Sequence, residues 1–345
     1  MALSLCPWRY APVLHPYEGE RLDDFSTYLS ELLQQKSTRD AQELLGYGRN
    51  SFSSLSALCQ VYGVEIPERK NQHAHSAVQE QVKPKPVRLT PATRKSIGVE
   101  RCVVICDTHV PYQDNRAVAV ALALIEDLKP ERVVLAGDML DMYAVSRFSK
   151  EPLGALGLQD ELDQTKDLLR EIRRASGKAR LEYVEGNHEA RLTAYLHTRA
   201  PELAGLTALS ITELLDLDSL GITYIKSRGR SAFTTFGAVA VGHFDKCSKH
   251  SGYTAKALVD DRCESLVQGH VHRLGTHYKT LPNGDVLLGV ESGCLCDLSP
   301  EYVANPNWQH GLTVITKRTD TDRFHLAQVP IVDYEAIYKD VLYSA

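Results

Sequence analysis

Between about residues 97 and 330 the chain lays down one short apolar run after another, and this rhythm limits the fold more than any other feature. The runs are ERCVVIC, ERVVLAG, ARLEYVEG, GITYIKS, FGAVAVG, CESLVQG and DVLLGVESG. Short runs rich in Val and Ile and bounded by turn residues read as strands. Between the early runs lie AVAVALALIEDLK and LQDELDQTKDLLREIRRA, whose apolar residues recur at helical spacing. Strand–helix alternation early and strand–strand succession later predict an α/β sandwich with mixed sheets. LTVIT and FHLAQVPIV add later strands. A short terminal helix is expected around Tyr334, Ile337, Tyr338 and Leu342, which makes residues 331–345 a C-terminal tail to the 97–330 domain.

Ahead of this domain two zones differ in character. In residues 1–65 the segment from Asp24 to Gln35 places Phe25, Tyr28, Leu29, Leu32 and Leu33 on one helical face. Ser37-Thr38-Arg39-Asp40 is a plausible cap for a second helix, followed by a glycine turn at Gly46 to Gly48 and a further helix ending near Gly63. The outline is that of a small α-helical domain, either a DNA-binding helix-turn-helix or a packing module. Residues 66–96 read as a linker, with four prolines and no aromatic residue. Seven Lys or Arg against two Glu give it a net charge of +5, so it is either a solvated tether or a segment that touches a phosphate backbone. His73 and His75 in this stretch are not read as ligands.

Composition narrows the class without naming a function. With 43% hydrophobic and 24% charged residues in 345, the chain has core enough to fold without disulfides. The net charge of −5 does not exclude a nucleic-acid partner, because a local basic patch suffices. Eight cysteines form no CxxC pair, and those in RCVVIC read as small core residues. Cys294 and Cys296 form CxC. That pair could hold a metal, but it reads as structural because the usual zinc spacing is missing. No signal peptide and no membrane span are expected, and with the free thiols this favours the cytoplasm.

The strands carry the chemistry at their ends. VVIC runs into Asp107-Thr108-His109, VVLA into Gly137-Asp138-Met139-Leu140-Asp141, and LEYVE into Gly186-Asn187-His188-Glu189. AVAV runs into Gly242-His243, and LVQ into Gly269-His270-Val271-His272. Ligands in open α/β sheets gather outside the carboxyl ends of strands. Five strand ends releasing Asp, His or Asn, each beside glycine or after an apolar run, point to one metal site rather than five coincidences. Glycine here is expected to let the backbone turn sharply and bring each ligand inward.

The order D-x-H, G-D-x-x-D, G-N-H-E, G-H, G-H-x-H resembles the calcineurin-like metallophosphoesterase superfamily over residues 100 to 275 or so. HSGYTAKA and NPNWQHG look similar to phosphoesterases of phages and prophages. The resemblance implies a calcineurin-like sandwich holding two divalent metal ions, Mn first, with Fe, Zn or Mg as alternatives. It implies Asp107, His109 and His272 at one ion, Asn187, His243 and His270 at the other, and Asp138 between them. His188 would be the general acid and Asp141 the carboxylate that orients it. Arg191 is either paired with Glu189 or in contact with phosphate. The fourth motif usually reads His-Gly, whereas here His243 follows Gly242. His250 is the alternative ligand, or a substrate contact.

Two ions a few ångström apart clamp a phosphate and acidify a bridging water, whose hydroxide attacks phosphorus. The expected activity is a phosphodiesterase or nuclease acting on nucleic acid, favoured by the N-terminal outline and the basic linker. A phosphomonoesterase is the alternative, although the Arg expected after G-D-x-x-D in protein phosphatases is replaced by Met142. A DNA-binding or assembly protein without activity is a third reading, opposed by the full ligand set. Glu291 to Gly311 forms either a rim over the site or a structural return to LTVIT.

Overall fold

The computed structural model describes residues 22–36, 40–41, 44–45, 52–66, 92–147, 157–227, 231–300 and 305–345. The chain divides into two compact units, Met1–Ala92 and Thr93–Ala345. In the first, helix α1 (Leu22–Gln35) and helix α2 (Phe52–Val61) accompany helical turns at Asp40, Ala41 and Leu44. Leu29, Leu33, Ala41, Leu55 and Cys59 are its buried centre. Chain direction changes at Gly63, whose φ of +64° closes α2. The expected turn at Gly46 to Gly48 and most of the basic run, residues 67–91, lie outside the described residues.

The second unit is a four-layer sandwich. One sheet has the order β11-β10-β1-β2-β3-β4 and the other β5-β6-β7-β9-β8. In the first, β1 (Val99–Ile105), β2 (Arg132–Leu135), β3 (Arg180–Val184) and β4 (Ile222–Ile225) run parallel. To these, β10 (Gly311–Arg318) adds antiparallel beside β1, and β11 (Phe324–Pro330) follows it. In the second, β6 (Val239–Gly242), β7 (Ser265–Gln268) and β9 (Val286–Ser292) are parallel. Antiparallel edges β5 (Phe233–Phe236) and β8 (Leu274–Thr280) flank them. Both sheets are therefore mixed, as the alternation of runs implies.

Period-two alternation explains the layering. Cys102, Val104 and Cys106 of β1 point into the seam between the sheets, with Val134, Val184, Val241, Val267 and Val290. Val103 and Ile105 point the other way, beneath α3 (Asn115–Leu128) and α4 (Leu158–Ser176). From Cys102 to Ile105 β1 is buried on both faces and wholly apolar, and its cysteine serves as a small core residue. On the far side of the second sheet, Leu258 and Val259 of α5 (Tyr253–Arg262) pack on Ala240 and Leu266. Among the described residues no helix is long and apolar enough to cross a membrane.

The chain's end departs from expectation. In place of a terminal helix there is a hairpin of β12 (Glu335–Tyr338) and β13 (Val341–Ser344). Its two-residue turn, Lys339-Asp340, has φ of +49° and +65°. Two positive φ values in a two-residue loop match the twist of a hairpin and cannot continue a helix. Ala336 and Tyr343 sink into the main core, and the Tyr343 hydroxyl donates to Asp127 at 2.7 Å. Residues 331–345 thus pack as part of the second unit.

Candidate metal centre

Five strand ends converge. Beyond β1 and β2 the chain continues as two parallel loops zipped by backbone bonds. Asp107 N–H donates to Gly137 O (3.1 Å), His109 N–H to Asp138 O (3.0 Å), and Val110 N–H to Met139 O (3.0 Å). Asp107, His109, Asp138, His270 and His272 all have positive φ, between +48° and +73°. None is glycine. Each such residue costs roughly 1 kcal/mol or more and persists where the surroundings impose it, a pattern concentrated at functional sites. The motif glycines act as expected at one position only, since Gly186, Gly242 and Gly269 have no positive φ. Gly137, at φ +89°, does turn the chain. Gly186 instead provides room, because a Cβ there would fall 2.7 Å from the Glu189 carboxylate and against Asp138.

The side chains form two groups of donor atoms. In the first, His272 Nε2 lies 3.1 Å from Asp107 Oδ1 and 3.1 Å from His109 Nε2. In the second, His243 Nε2 lies 3.0 Å from Asn187 Oδ1, 3.1 Å from His270 Nδ1 and 3.1 Å from Asp138 Oδ2. The same Asp138 Oδ2 stands 3.8 Å from His109 Nε2, at the border of the first group. Ligands about 2.1 Å from an octahedral ion sit about 3.0 Å apart in adjacent positions. The distances around His272 and His243 match that figure, while His109 Nε2 to Asp107 Oδ1 is longer, at 3.8 Å. Hard carboxylates, an amide oxygen and imidazoles are a donor set for Mn, Fe, Zn or Mg. The residues present therefore fit two divalent ions.

Surrounding bonds fix which atom each ligand presents. His243 Nδ1–H donates to Ala136 O at 3.0 Å, which leaves Nε2 as the lone pair. Asp141 orients His188, whose Nδ1 lies 3.0 Å from both its backbone O and its Oδ1, and that Oδ1 also stands 3.4 Å from His109 Nδ1. Asp138 Oδ1 accepts from His188 N–H at 2.9 Å, which turns Oδ2 toward the ligands. Asp107 accepts from His270 N–H at 3.0 Å.

The electrostatics follow from packing acids and imidazoles together. Burial alone would raise Asp107, but the His272 and His109 rings hold it well below the usual carboxylate range. Asp138 is lowered against its burial by His243 and His188. Burial likewise opposes protonation of His243 and His272, yet the Asp138 and Asp107 carboxylates push them up to about 10 and about 9. His270 is lowered by burial and by the His243 charge. A group of imidazoles neutralising carboxylates is the arrangement that divalent cations replace as they displace protons.

His188 and Arg191 sit beside the ligands. His188 Nε2 is 3.6 Å from Asp138 Oδ2, near enough to serve as a ligand on distance alone. His188 Nε2 thus groups with His109 and Asp138, but an Arg191 guanidinium nitrogen 2.8 Å from it competes with a cation there. Arg191 also donates to Asp141 O at 2.7 Å. It does not pair with Glu189. That carboxylate is fully buried and accepts from the N–H groups of Asp138, Met139 and Gly186 and from the Tyr183 hydroxyl, at 3.0, 2.8, 2.7 and 2.6 Å. Sequence reasoning missed this role, and the signal for it was Glu189's place inside G-N-H-E. His250 lies apart, exposed and edge-on to Tyr253 at 5.4 Å. Trp308, from the segment after the last motif, stands edge-on to His272 at 4.2 Å.

No family model matches the chain. The Gene 54 protein of Mycobacterium phage L5 is 29% identical over 245 residues, 68% of this chain and 94% of that protein. The Gene 54 protein of Mycobacterium phage D29 matches at the same identity and coverage. Among solved structures, a single mutant of Vps29 from Entamoeba histolytica superposes on 69% of this chain and 96% of its own, at 15% identity and TM-score 0.36. YfcE, a phosphoesterase from E. coli, covers 67% of this chain and 100% of its own, at 12% identity and TM-score 0.30. At TM-scores of that size, the fold assignment rests on the strand order and register described above.

Proposed function

We propose that the protein is a dinuclear-metal phosphoesterase that hydrolyses phosphodiesters of nucleic acid. One observation carries the reading: two sets of donor atoms, each spaced about as octahedral ligands are, meet at a single oxygen of Asp138. Asp107, His109 and His272 would hold one ion, Asn187, His243 and His270 the other, with Mn first in preference. When bound, such a pair supplies Lewis acidity for the phosphate and a nucleophile at neutral pH.

The chain's own residues do the rest. Asp141 holds the Nδ1 edge of His188, so Nε2 is the atom turned to the site. A proton on Nε2 would pass to the leaving alkoxide oxygen. Arg191 donates to that nitrogen at 2.8 Å. Its transfer to a phosphate oxygen would bring positive charge to the ester and free Nε2 to carry the proton. Support for nucleic acid comes from the +5 charge of residues 66–96 and the helical N-terminal unit.

Mn-loaded protein assayed on single- and double-stranded DNA, RNA, cyclic nucleotides and phosphopeptides tests the substrate class. Hydrolysis confined to phosphopeptides would make it a phosphomonoesterase. Asp138→Ala is expected to lose both bound Mn and hydrolysis of a generic aryl phosphodiester. A fully active Asp138→Ala protein would end the metal-centre reading.

A further inference from the structure

Cys294 and Cys296 do not behave as ordinary core cysteines. The segment that carries them is extended and fixed to the ligand loops: Cys294 bridges to His310, Cys296 bridges to Gln113, and Leu295 N–H donates to Asp107 O at 3.1 Å. Alternation along this extended stretch sends Leu295 into the main core and puts both sulfurs on the opposite side. There they meet the ring of His272, and one donor atom each of His272, Cys294 and Cys296 lies within 4.8 Å of the other two. All three residues are buried.

His272 presents its two nitrogens to different surroundings. Nε2 belongs to the oxygen- and nitrogen-rich group described above. Nδ1 faces Cys296 Sγ at 3.9 Å. A metal-bound imidazole ordinarily gives its second N–H to an oxygen acceptor. Here a sulfur stands in that place, with a second sulfur beside it. A tetrahedral ion with sulfur at about 2.3 Å and nitrogen at about 2.0 Å keeps those atoms about 3.6 Å apart, close to the separation seen.

We infer that His272 Nδ1, Cys294 Sγ and Cys296 Sγ form a third cation site, selective for a soft, closed-shell ion such as Zn²⁺, Cd²⁺ or Cu⁺. It is separate in donor chemistry from the oxygen-rich centre, and it shares one imidazole with it. Binding releases the two thiol protons and, with Nε2 engaged by the neighbouring centre, the Nδ1 proton of His272 to solvent, leaving two thiolates and a bridging imidazolate on the ion. Three protein ligands leave a fourth position open in a tetrahedral ion. Soft thiolates select against Mn and Mg, so the ions of the two sites are distinguishable by type.

The test uses the full chain with exposed Cys247 and Cys263 replaced (Cys247→Ser, Cys263→Ser) and excess Mn²⁺ present to fill the oxygen-rich groups. Cd²⁺ is then titrated while thiolate-to-cadmium charge-transfer absorption is followed. One equivalent is expected to produce the band. Adding Cys294→Ala and Cys296→Ala should abolish it without changing the far-ultraviolet circular dichroism. Should that variant misfold, cadmium X-ray absorption on the unaltered thiol pair decides, with two sulfur neighbours per ion expected. A band that survives loss of both cysteines, or a cadmium shell with no sulfur, overturns the assignment. Neither readout depends on hydrolysis, so the site and the proposed activity stand or fall separately.

Discussion

At the scale of single residues, His188 and Glu189 are neighbours with opposite tasks. His188 faces the site through Nε2, held by Asp141. His188→Ala is expected to slow hydrolysis of alkyl phosphodiesters by roughly 10²-fold or more, in keeping with general acid catalysis. Activated aryl diesters, whose leaving groups need no proton, should lose far less, and equal losses on both would remove the acid role. Glu189 touches no reacting atom. It gathers three backbone N–H groups and one hydroxyl under the Asp138 loop. Glu189→Ala would strand these donors, each worth about 1–3 kcal/mol when buried and unpaired. A loss of at least about 3 kcal/mol in urea unfolding of the metal-free protein is expected. A loss under about 1 kcal/mol would show that the loop holds itself.

At the scale of elements, α4 reaches the second ligand loop through Glu161, which accepts from the Met142 N–H. Burial pushes Glu161 up to about 7, the Met142 N–H opposes this, and the Asp141 charge adds to it. Between its ordinary 4.5 and about 7 the folded protein then holds a proton that the unfolded chain has released. Glu161 therefore favours the fold at acidic pH, and this contribution is lost as pH rises through about 7. Glu161→Gln, neutral throughout, should flatten the fall in denaturant midpoint across that window. An unchanged pH profile would show that Glu161 titrates normally. Elements also show what could be read from the sequence. β1, β2, β3, β6 and β7 announce themselves because each buries both faces over most of its length and carries a short run of apolar residues. β8 does not, since it is an edge strand with polar residues such as His277 and Lys279 alternating along it. The terminal hairpin was hidden because Tyr334, Ile337, Tyr338 and Leu342 also satisfy helical spacing, and only the left-handed Lys339-Asp340 turn decides between the two. The proposed metal ligands were legible for a related reason: each lies within a few residues of the end of an apolar strand. The contacts of Glu189 with Asp138 and Met139, and of Cys296 with His272, join residues far apart in sequence, so a motif marks the residue but not its partners.

At the scale of the molecule, every proposed ligand, with His188 and Arg191, belongs to the unit Thr93–Ala345. A chain beginning at Thr93 is expected to bind Mn and hydrolyse a small aryl diester about as well as the full chain. It should bind DNA more weakly, with a shallower dependence on salt, because the basic residues before it are gone. Equal DNA affinity and salt slope in both proteins would remove the N-terminal region from substrate binding. Asp138 Oδ2 carries a further consequence. A single oxygen serving two cations, as proposed, would make their binding one linked equilibrium. Whatever factor the first ion applies to the affinity of the second, the second must return to the first. Filling of this centre is then described by a coupling constant rather than by two independent affinities. Asp138→Asn, which keeps an oxygen there but removes its charge, would alter that constant identically from either side.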